Sequence, residues 1–351
     1  MGAQGEFGIG IIGSGNISSI YIKNLSEFPQ TRVVAISDLD HNRAKAKAEE
    51  HGITDVLTTE ELLAREDIDA VVNLTIPAAH YDLAMDALRA GKHIYNEKPL
   101  AMNRVEGRAM LDLAKAKGKL VGCAPDTVLG AGIQTVREMI DRGDIGDIVS
   151  AQAWMMGSGT EKWHPNPEFF YKPGAGPLFD MGPYYLTAMV TLLGPVKEVA
   201  ALHRIALPTR LIESQPFAGQ TITVETPTHI SLVAAFQAGP IGQFTASFDT
   251  FAWPEYPCMD IFGTKGMIRV PDPNCFGGPI KIRPHEGDWK EIEITRPYGE
   301  NSRGLGVLDM MLASKNGRAA RASGDVAAHV LDVIQSALES GSSGKHIPIS
   351  I

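Results

Sequence analysis

Cysteine is scarce. Cys123, Cys258 and Cys275 are the only three in 351 residues, and they form no C-x-x-C pair. That spacing offers neither a zinc motif nor a disulfide framework, so no metal is expected, and so little thiol fits a reducing compartment. Runs of Lys and Arg are missing, and the formal net charge is −9. Nucleic acid and anionic membranes both select basic patches, so neither is expected as a partner. No apolar run approaches the roughly 20 residues that cross a bilayer. Met1 to Gly15 has no basic segment, so no signal peptide is expected, and Glu6 stands where a myristoylation motif wants Ser or Thr. Fixed-period repeats and low-complexity tracts are also missing. The remaining expectation is a cytoplasmic globular protein, with 21 % charged and 44 % hydrophobic residues. The chain is long for one core, and two domains are expected.

What is present first is alternation. Apolar runs at Phe7 to Ile12, Arg32 to Ser37, Ala70 to Thr75, His93 to Tyr95 and Lys119 to Cys123 read as strands. Between them, Asn16 to Ser26, Asn42 to His51, His80 to Ala90 and Arg104 to Lys117 read as helices. This spacing predicts an α/β fold with a doubly wound parallel sheet of the Rossmann type over residues 1–126. After Pro125 the pattern changes. Gly130 to Arg142 is still helical, but strands dominate from Ile148. Thr228 to Phe236 and Ile241 to Phe248 flank Gln237-Ala238-Gly239-Pro240; Met259 to Val270 turns at Gly263-Thr264-Lys265-Gly266; Ile280 to Ile294 turns near His285-Glu286-Gly287-Asp288. Neighbouring hairpins predict a large, mostly antiparallel sheet in an α+β domain over residues 127–351. Helices at Met181 to Leu193 and Asp325 to Ser340 cover one face, or the last packs back near the Rossmann domain. The other face then needs cover, and a homodimer or homotetramer through that sheet is the economical answer.

Gly13-Ser14-Gly15-Asn16-Ile17-Ser18 lies between the first strand and the first helix. The first glycine permits a tight turn, and the second lets backbone approach a pyrophosphate seated on the helix N-terminus. Ser18 replaces the third glycine, where a small residue suits helix–strand packing. Asp38 follows the second strand, where a carboxylate accepts hydrogen bonds from the adenosine ribose and repels a 2′-phosphate. NAD is therefore expected over NADP, with Arg43 close enough to oppose that preference. Thr75, Ile76, Pro77 and His80 fall at the carboxyl edge of a later strand, where ligands bind in such sheets. Each of these also reads blandly: a strand–helix turn, a solvated Asp, a proline turn with His80 capping the next helix.

Glu97-Lys98-Pro99 again follows a strand. A lysine at that edge can point into a cofactor crevice, and Pro99 is a candidate for a cis bond that aims it. A lone Lys-Pro is more often a plain loop. Gly174-Ala175-Gly176-Pro177-Leu178-Phe179-Asp180-Met181-Gly182-Pro183-Tyr184 is the second candidate. Asp180 and Tyr184 share one side of a helix start, or serve only as a dipole charge and a core ring.

On these residues together the sequence resembles the Gfo/Idh/MocA oxidoreductases, the glucose–fructose oxidoreductase, inositol dehydrogenase and rhizopine-catabolism proteins. The likeness runs over nearly the whole chain. It rests on Gly13-Ser14-Gly15-Asn16-Ile17, Thr75-Ile76-Pro77 with His80, Glu97-Lys98-Pro99, and Gly174 to Tyr184. It implies that Lys98, Asp180 and Tyr184 line a substrate pocket beside the nicotinamide, with Glu97 and Lys98 also at the cofactor. Many members carry His, the usual proton acceptor, where Tyr184 stands. A neighbouring lysine cation favours a phenolate over its ordinary pKa of ~10, so Lys98 relaying the Tyr184 proton is the expected substitute, with Asp180 orienting Lys98 or the substrate. Trp163 and His164 are read as sugar contacts or as a Pro-rich surface loop, and Asp126 as a substrate contact where the crevice opens.

The resemblance implies hydride transfer between NAD and a secondary alcohol or ketone of a small carbohydrate, glycoside or cyclitol, in a direction left open. Two other classes stay open: a non-catalytic dinucleotide-binding regulator, and a lyase or glycosidase that oxidises and re-reduces its sugar with recycled NAD.

Overall fold

The computed structural model describes residues 6–250 and 257–350. The leader and acylation readings of residues 1–5 lie outside them. The described residues up to Gly130 form one compact unit with Tyr298–Leu331; those in Ala131–Pro297 form a second with Asp332–Ser350.

In the first unit the elements are β1 (Phe7–Ile12), α1 (Ser18–Glu27), β2 (Thr31–Ser37), α2 (His41–His51), β3 (Asp55–Val56), α3 (Thr59–Ala64), β4 (Ala70–Asn73), α4 (His80–Arg89), β5 (His93–Asn96), α5 (Arg104–Lys117) and β6 (Val121–Cys123). Among the described residues they build a six-stranded sheet in the order β3-β2-β1-β4-β5-β6, with every pair parallel. β1 and β4 are buried at every position, as strands covered on both faces must be, and this explains their unbroken apolar sequence. The helices between them start and stop on local chemistry. Asp40 caps α2 through the N–H groups of Asn42 and Arg43, and Gly52 ends it in the left-handed region. Asn103 and Gly118 do the same for α5. β3 and α3 went unread in the sequence: one is two residues long, and the other is six residues set by the Thr58–Glu61 capping box. The order reverses between β1 and β4, and that reversal opens a crevice at the carboxyl ends of the strands.

The second unit begins with α6 (Ala131–Asp141) and β7 (Ile148–Met156), continues through α7 (Pro177–Asp180) and α8 (Gly182–Leu193), and then turns to strands. These are β8 (Val196–Arg204), β9 (Thr209–Leu211), β10 (Thr221–Thr223), β11 (His229–Phe236), β12 (Ile241–Ser247), β13 (Met259–Gly263), β14 (Gly266–Val270), β15 (Ile280–Pro284) and β16 (Lys290–Ile292). Apart from the β9–β10 pair they join a nine-stranded sheet, β16-β15-β14-β13-β7-β12-β11-β8 closed by β17 (Ile347–Pro348) at its edge. All its pairs are antiparallel except β12 on β7. The period-two pattern of β11 is realised: Ile230, Leu232, Ala234 and Phe236 are buried, while Ser231 and Val233 face outward with Leu202 and Ile241.

The expected single second domain over 127–351 needs revision. After β16 the chain returns: helix α9 (Leu305–Asn316) belongs to the first unit. Its Val307, Met310 and Met311 share one core with Ile9, Ile11, Tyr21, Val72 and Tyr95. In helix α10 (Gly324–Ser343), residues to Leu331 group with the first unit and the rest with the second. No helix among the described residues is long and apolar enough to cross a membrane.

Candidate dinucleotide and catalytic site

The glycine loop is built for close approach. Gly13 sits at φ 99°, and a Cβ there would meet the Leu74 carbonyl carbon at 2.7 Å, so only glycine fits. A Cβ on Gly15 would meet no atom within 4 Å, so the space beside it stays open to a ligand. The hydroxyl of buried Ser18 donates to Gly15 O at 2.7 Å, closing the turn where a third glycine was expected. No side chain caps the N-terminus of α1. The positive dipole end of α1, left without a side-chain cap beside Gly15, fits a pyrophosphate.

Asp38 ends the loop after β2. Its Oδ2 accepts from the backbone N–H and the hydroxyl of Ser14, each at 2.7 Å. Its Oδ1 accepts from Asp40 N at 2.9 Å and Arg43 Nη2 at 2.7 Å. Burial alone would raise this carboxyl, but the donors from Arg43, Ser14 and Asp40 outweigh it and hold the group well below the usual carboxylate range.

The edge of β4 and β5 is tied together by buried polar side chains that sequence reasoning did not single out. Asn73 and Asn96 end their strands in register, and Asn73 Nδ2 donates to Asn96 Oδ1 at 3.1 Å. Asn73 Oδ1 accepts from the Thr75 hydroxyl at 2.7 Å, and Asn96 Nδ2 donates to Leu100 O at 3.1 Å. A buried Asn closing each of two adjacent apolar strands was the available signal. His80 completes the knot: Nδ1 lies 2.7 Å from Pro99 O and Nε2 lies 3.2 Å from Thr75 O. Burial lowers the pKa of this imidazole, against the two carbonyl contacts that favour its charged form. His80 is fully buried, and α4 has no side-chain cap. Both expectations for it, a cofactor contact and a helix cap, therefore give way to a latch between the 75 and 99 loops. Ile76 stays exposed beside Pro77.

Glu97 likewise faces inward. Its Oε1 accepts from the Tyr21 hydroxyl at 2.8 Å and its Oε2 from Lys98 N at 2.9 Å. It shapes the loop beneath Lys98, so its expected cofactor contact is replaced by a positioning one. The Lys98–Pro99 bond is cis, and Lys98 is half-buried. Asp126 is corrected most clearly. It is buried, and its Oδ2 accepts from Gly304 N and Gly306 N, both at 2.9 Å, at the start of α9. Burial pushes its pKa up to about 6 against those two hydrogen bonds. That carboxylate anchors the returning helix and is not available to a substrate.

In the second unit, Gly176 at φ 88° leads into α7, with Pro177 opening it. Asp180 closes α7 and half-buried exposure is left to it, while buried Tyr184 lies in the first turn of α8. The two stand at a junction between helices rather than at one helix start. The preceding loop carries an aromatic cluster: the His164 ring lies 5.4 Å from Trp163 and 5.0 Å from Phe170, and Trp163 is 66 % exposed. Gly176 N donates to Phe170 O at 2.9 Å, which joins this cluster to the Asp180 turn. Beneath it lies an ion cluster with no sequence signal. Arg210 Nη1 donates to Glu161 Oε1 at 2.5 Å and Nη2 to Phe248 O at 2.8 Å and to Asp249; Tyr171 donates to Glu161. Their charged side chains are almost wholly buried.

Residues 7–124 match the oxidoreductase family with an NAD-binding Rossmann fold, and residues 133–269 match the GFO/IDH/MocA C-terminal domain. The chain is 31 % identical over 288 residues to a dTDP-3,4-didehydro-2,6-dideoxy-alpha-D-glucose 3-reductase of Streptomyces violaceoruber, covering 82 % of this chain and 76 % of that protein. It is 31 % identical over 150 residues to an inositol 2-dehydrogenase of Gluconacetobacter diazotrophicus, covering 42 % of this chain and 44 % of that protein. A crystal structure of an NAD binding oxidoreductase from Klebsiella pneumoniae shares the fold, with a TM-score of 0.86, 21 % identity and 99 % of each chain covered. The chain belongs to the Gfo/Idh/MocA family of NAD-binding oxidoreductases.

Proposed function

We propose that this protein moves a hydride between NAD and a secondary alcohol or ketone of a sugar, glycoside or cyclitol. The observation that carries the reading is the Lys98 loop: His80, Asn96 and Glu97 are all committed to fixing one lysine-bearing turn at the carboxyl edge of β5. Curated relatives act on a nucleotide-linked sugar and on inositol, which supports a polyhydroxylated substrate. Gly13, Ser14, Gly15, Asn16 and Ile17 hold the pyrophosphate against α1, and Asp38 and Arg43 meet the adenosine ribose. Leu39 and Ile76, both exposed, offer apolar surface to the cofactor rings. Thr75 and Pro77 shape the loop below them.

Bound NAD supplies the hydride chemistry. Tyr184, as the phenolate that the Lys98 cation favours, takes the hydroxyl proton as the alcohol is oxidised, Lys98 relays that proton onward, and Asp180 orients Lys98 or the substrate. Trp163 and His164 border the sugar. The protein is read as a cytoplasmic homo-oligomer joined across the outer face of its large sheet, where Leu202, Val233 and Ile241 are exposed; light scattering that gives a clean monomer removes that part. The test of the activity is reduced-nicotinamide formation across a panel of sugars, glycosides and inositols at alkaline pH. Lys98→Ala is expected to lower the rate about 100-fold or more. Silence across the panel with NAD demonstrably bound would move weight to a recycled cofactor, a substrate outside the panel or the regulator.

A further inference from the structure

The turn that carries Trp163 and His164 is pinned at every backbone group that matters. Thr160 O accepts from Trp163 N at 3.2 Å and from His164 N at 2.9 Å, and the Ser214 hydroxyl donates to His164 O at 2.6 Å. The His164 ring is fixed as well. Trp163, Phe169 and Phe170 stand edge-on to it, with centroids 5.4, 5.5 and 5.0 Å away. Its Nδ1 accepts from the Asn166 backbone N–H at 3.1 Å. A backbone N–H only donates, so the ring hydrogen in this arrangement sits on Nε2. Among the described residues that N–H has no hydrogen-bond partner, and the residue is half-buried. The rings around it pack on one another and still face water, Trp163 at 66 % and Phe169 at 46 % exposure.

Rigid aromatic surface around one oriented donor is the make-up of a ligand site: the rings supply contact area and the polar group sets direction. A glycoside has the matching shape, with apolar ring faces and an acceptor oxygen at the bond that joins its two halves. Distance selects which half lies here. Phe170 O accepts from Gly176 N at 2.9 Å, and Gly176 O accepts from Asp180 N at 3.0 Å. One backbone pairing spans about 5 Å and one helical turn about 6 Å, so this path sets Phe170 roughly 10 Å from Asp180. A single sugar ring oxidised beside Asp180 falls short of the aromatic rings; a second ring beyond the glycosidic bond reaches them. We infer that Trp163, Phe169 and His164 form an aglycone subsite, in which the second ring stacks on the Trp163 and Phe169 faces and the glycosidic oxygen accepts from His164 Nε2–H. The inference rests on the dehydrogenase reading and deepens it, selecting glycosides over free sugars and cyclitols.

Calorimetric titration of the purified full chain, saturated with NAD, with matched methyl and phenyl β-glycosides of glucose, galactose and mannose tests this. In at least one pair the phenyl member is expected to bind about tenfold more tightly. Trp163→Ala is expected to abolish that advantage and to leave the methyl member within about twofold of wild type. His164→Phe keeps a ring among its neighbours and loses the N–H, and is expected to weaken both members alike, by about threefold or more. Phenyl glycosides that bind no better than methyl ones in every pair would overturn the inference, and so would an advantage that survives Trp163→Ala. Absence of glycoside binding overturns it too; reduced nicotinamide formed from free sugars or inositols then shows the dehydrogenase reading standing without the subsite. A chain that binds no NAD but keeps a Trp163-dependent preference for phenyl glycosides would remove the dehydrogenase reading and leave the subsite.

Discussion

Two loops carry the proposed chemistry, and they are held by opposite means. The Lys98 loop is fixed by groups close at hand, most of them uncharged amides: two strand-end asparagines, with a buried imidazole and the Glu97 carboxylate on the same turn. The loop bearing Trp163 and His164 is fixed by buried charge from afar: Arg210, held by Asp249, donates to Glu161 and to Ser158 O. Neutral hydrogen bonds lose little on desolvation once satisfied. Buried ions lose far more and depend on every partner being present. A parallel sheet already delivers the first loop to its place, so small local ties suffice. The second is a long excursion between β7 and α7, and a stronger, less forgiving clamp holds it.

The contrast can be broken by removing one tie from each side. Arg210→Ala strands two carboxylates in the interior and is expected to cost about 3–5 kcal/mol in urea unfolding. His80→Ala removes one neutral donor and is expected to cost about 1–3 kcal/mol, with activity lowered because Lys98 loses its support. A larger loss from His80→Ala than from Arg210→Ala would reverse the comparison. A third carboxylate sharpens it. Asp126 is buried, it accepts from the backbone N–H groups of Gly304 and Gly306, and its folded pKa is raised to about 6 from 3.8. A raised carboxyl favours the fold in its protonated form, so this contribution is complete below about pH 4 and is lost as pH rises through about 6. Asp126→Asn cannot titrate. The difference in unfolding free energy between wild type and this variant is expected to change by up to about 3 kcal/mol between those limits and to stay flat above them. A difference independent of pH would show that Gly304 and Gly306 keep the carboxylate charged.

The same division decides what was legible in the sequence. β1, β4 and the Gly13–Gly15 turn were readable because their signals are contiguous: an apolar run buried on both faces, then a glycine forced by the Leu74 backbone. Lys98 was readable through its neighbours Glu97 and Pro99. His80 was placed correctly at the edge, but its work was not, because its partners Thr75 and Pro99 belong to two different loops. Asp126 was read as a substrate contact since its partners lie at 304 and 306, beyond a whole second unit. Arg210 gave no sign at all: it sits in a three-residue strand whose neighbours are exposed, and only the fold brings Glu161 and Asp249 to it.

The returning helix α9 bears on how the chain is made. Its Val307, Met310 and Met311 complete the core around Ile9, Tyr21 and Tyr95. All of Ala131–Pro297 separates those partners along the chain. On a ribosome the segment up to Gly130 therefore emerges with an open apolar face that its own residues cannot close, and must wait for α9, on the far side of Ala131–Pro297. The nucleotide-binding fold of this protein is begun first, yet it is completed only after most of the second unit has been written.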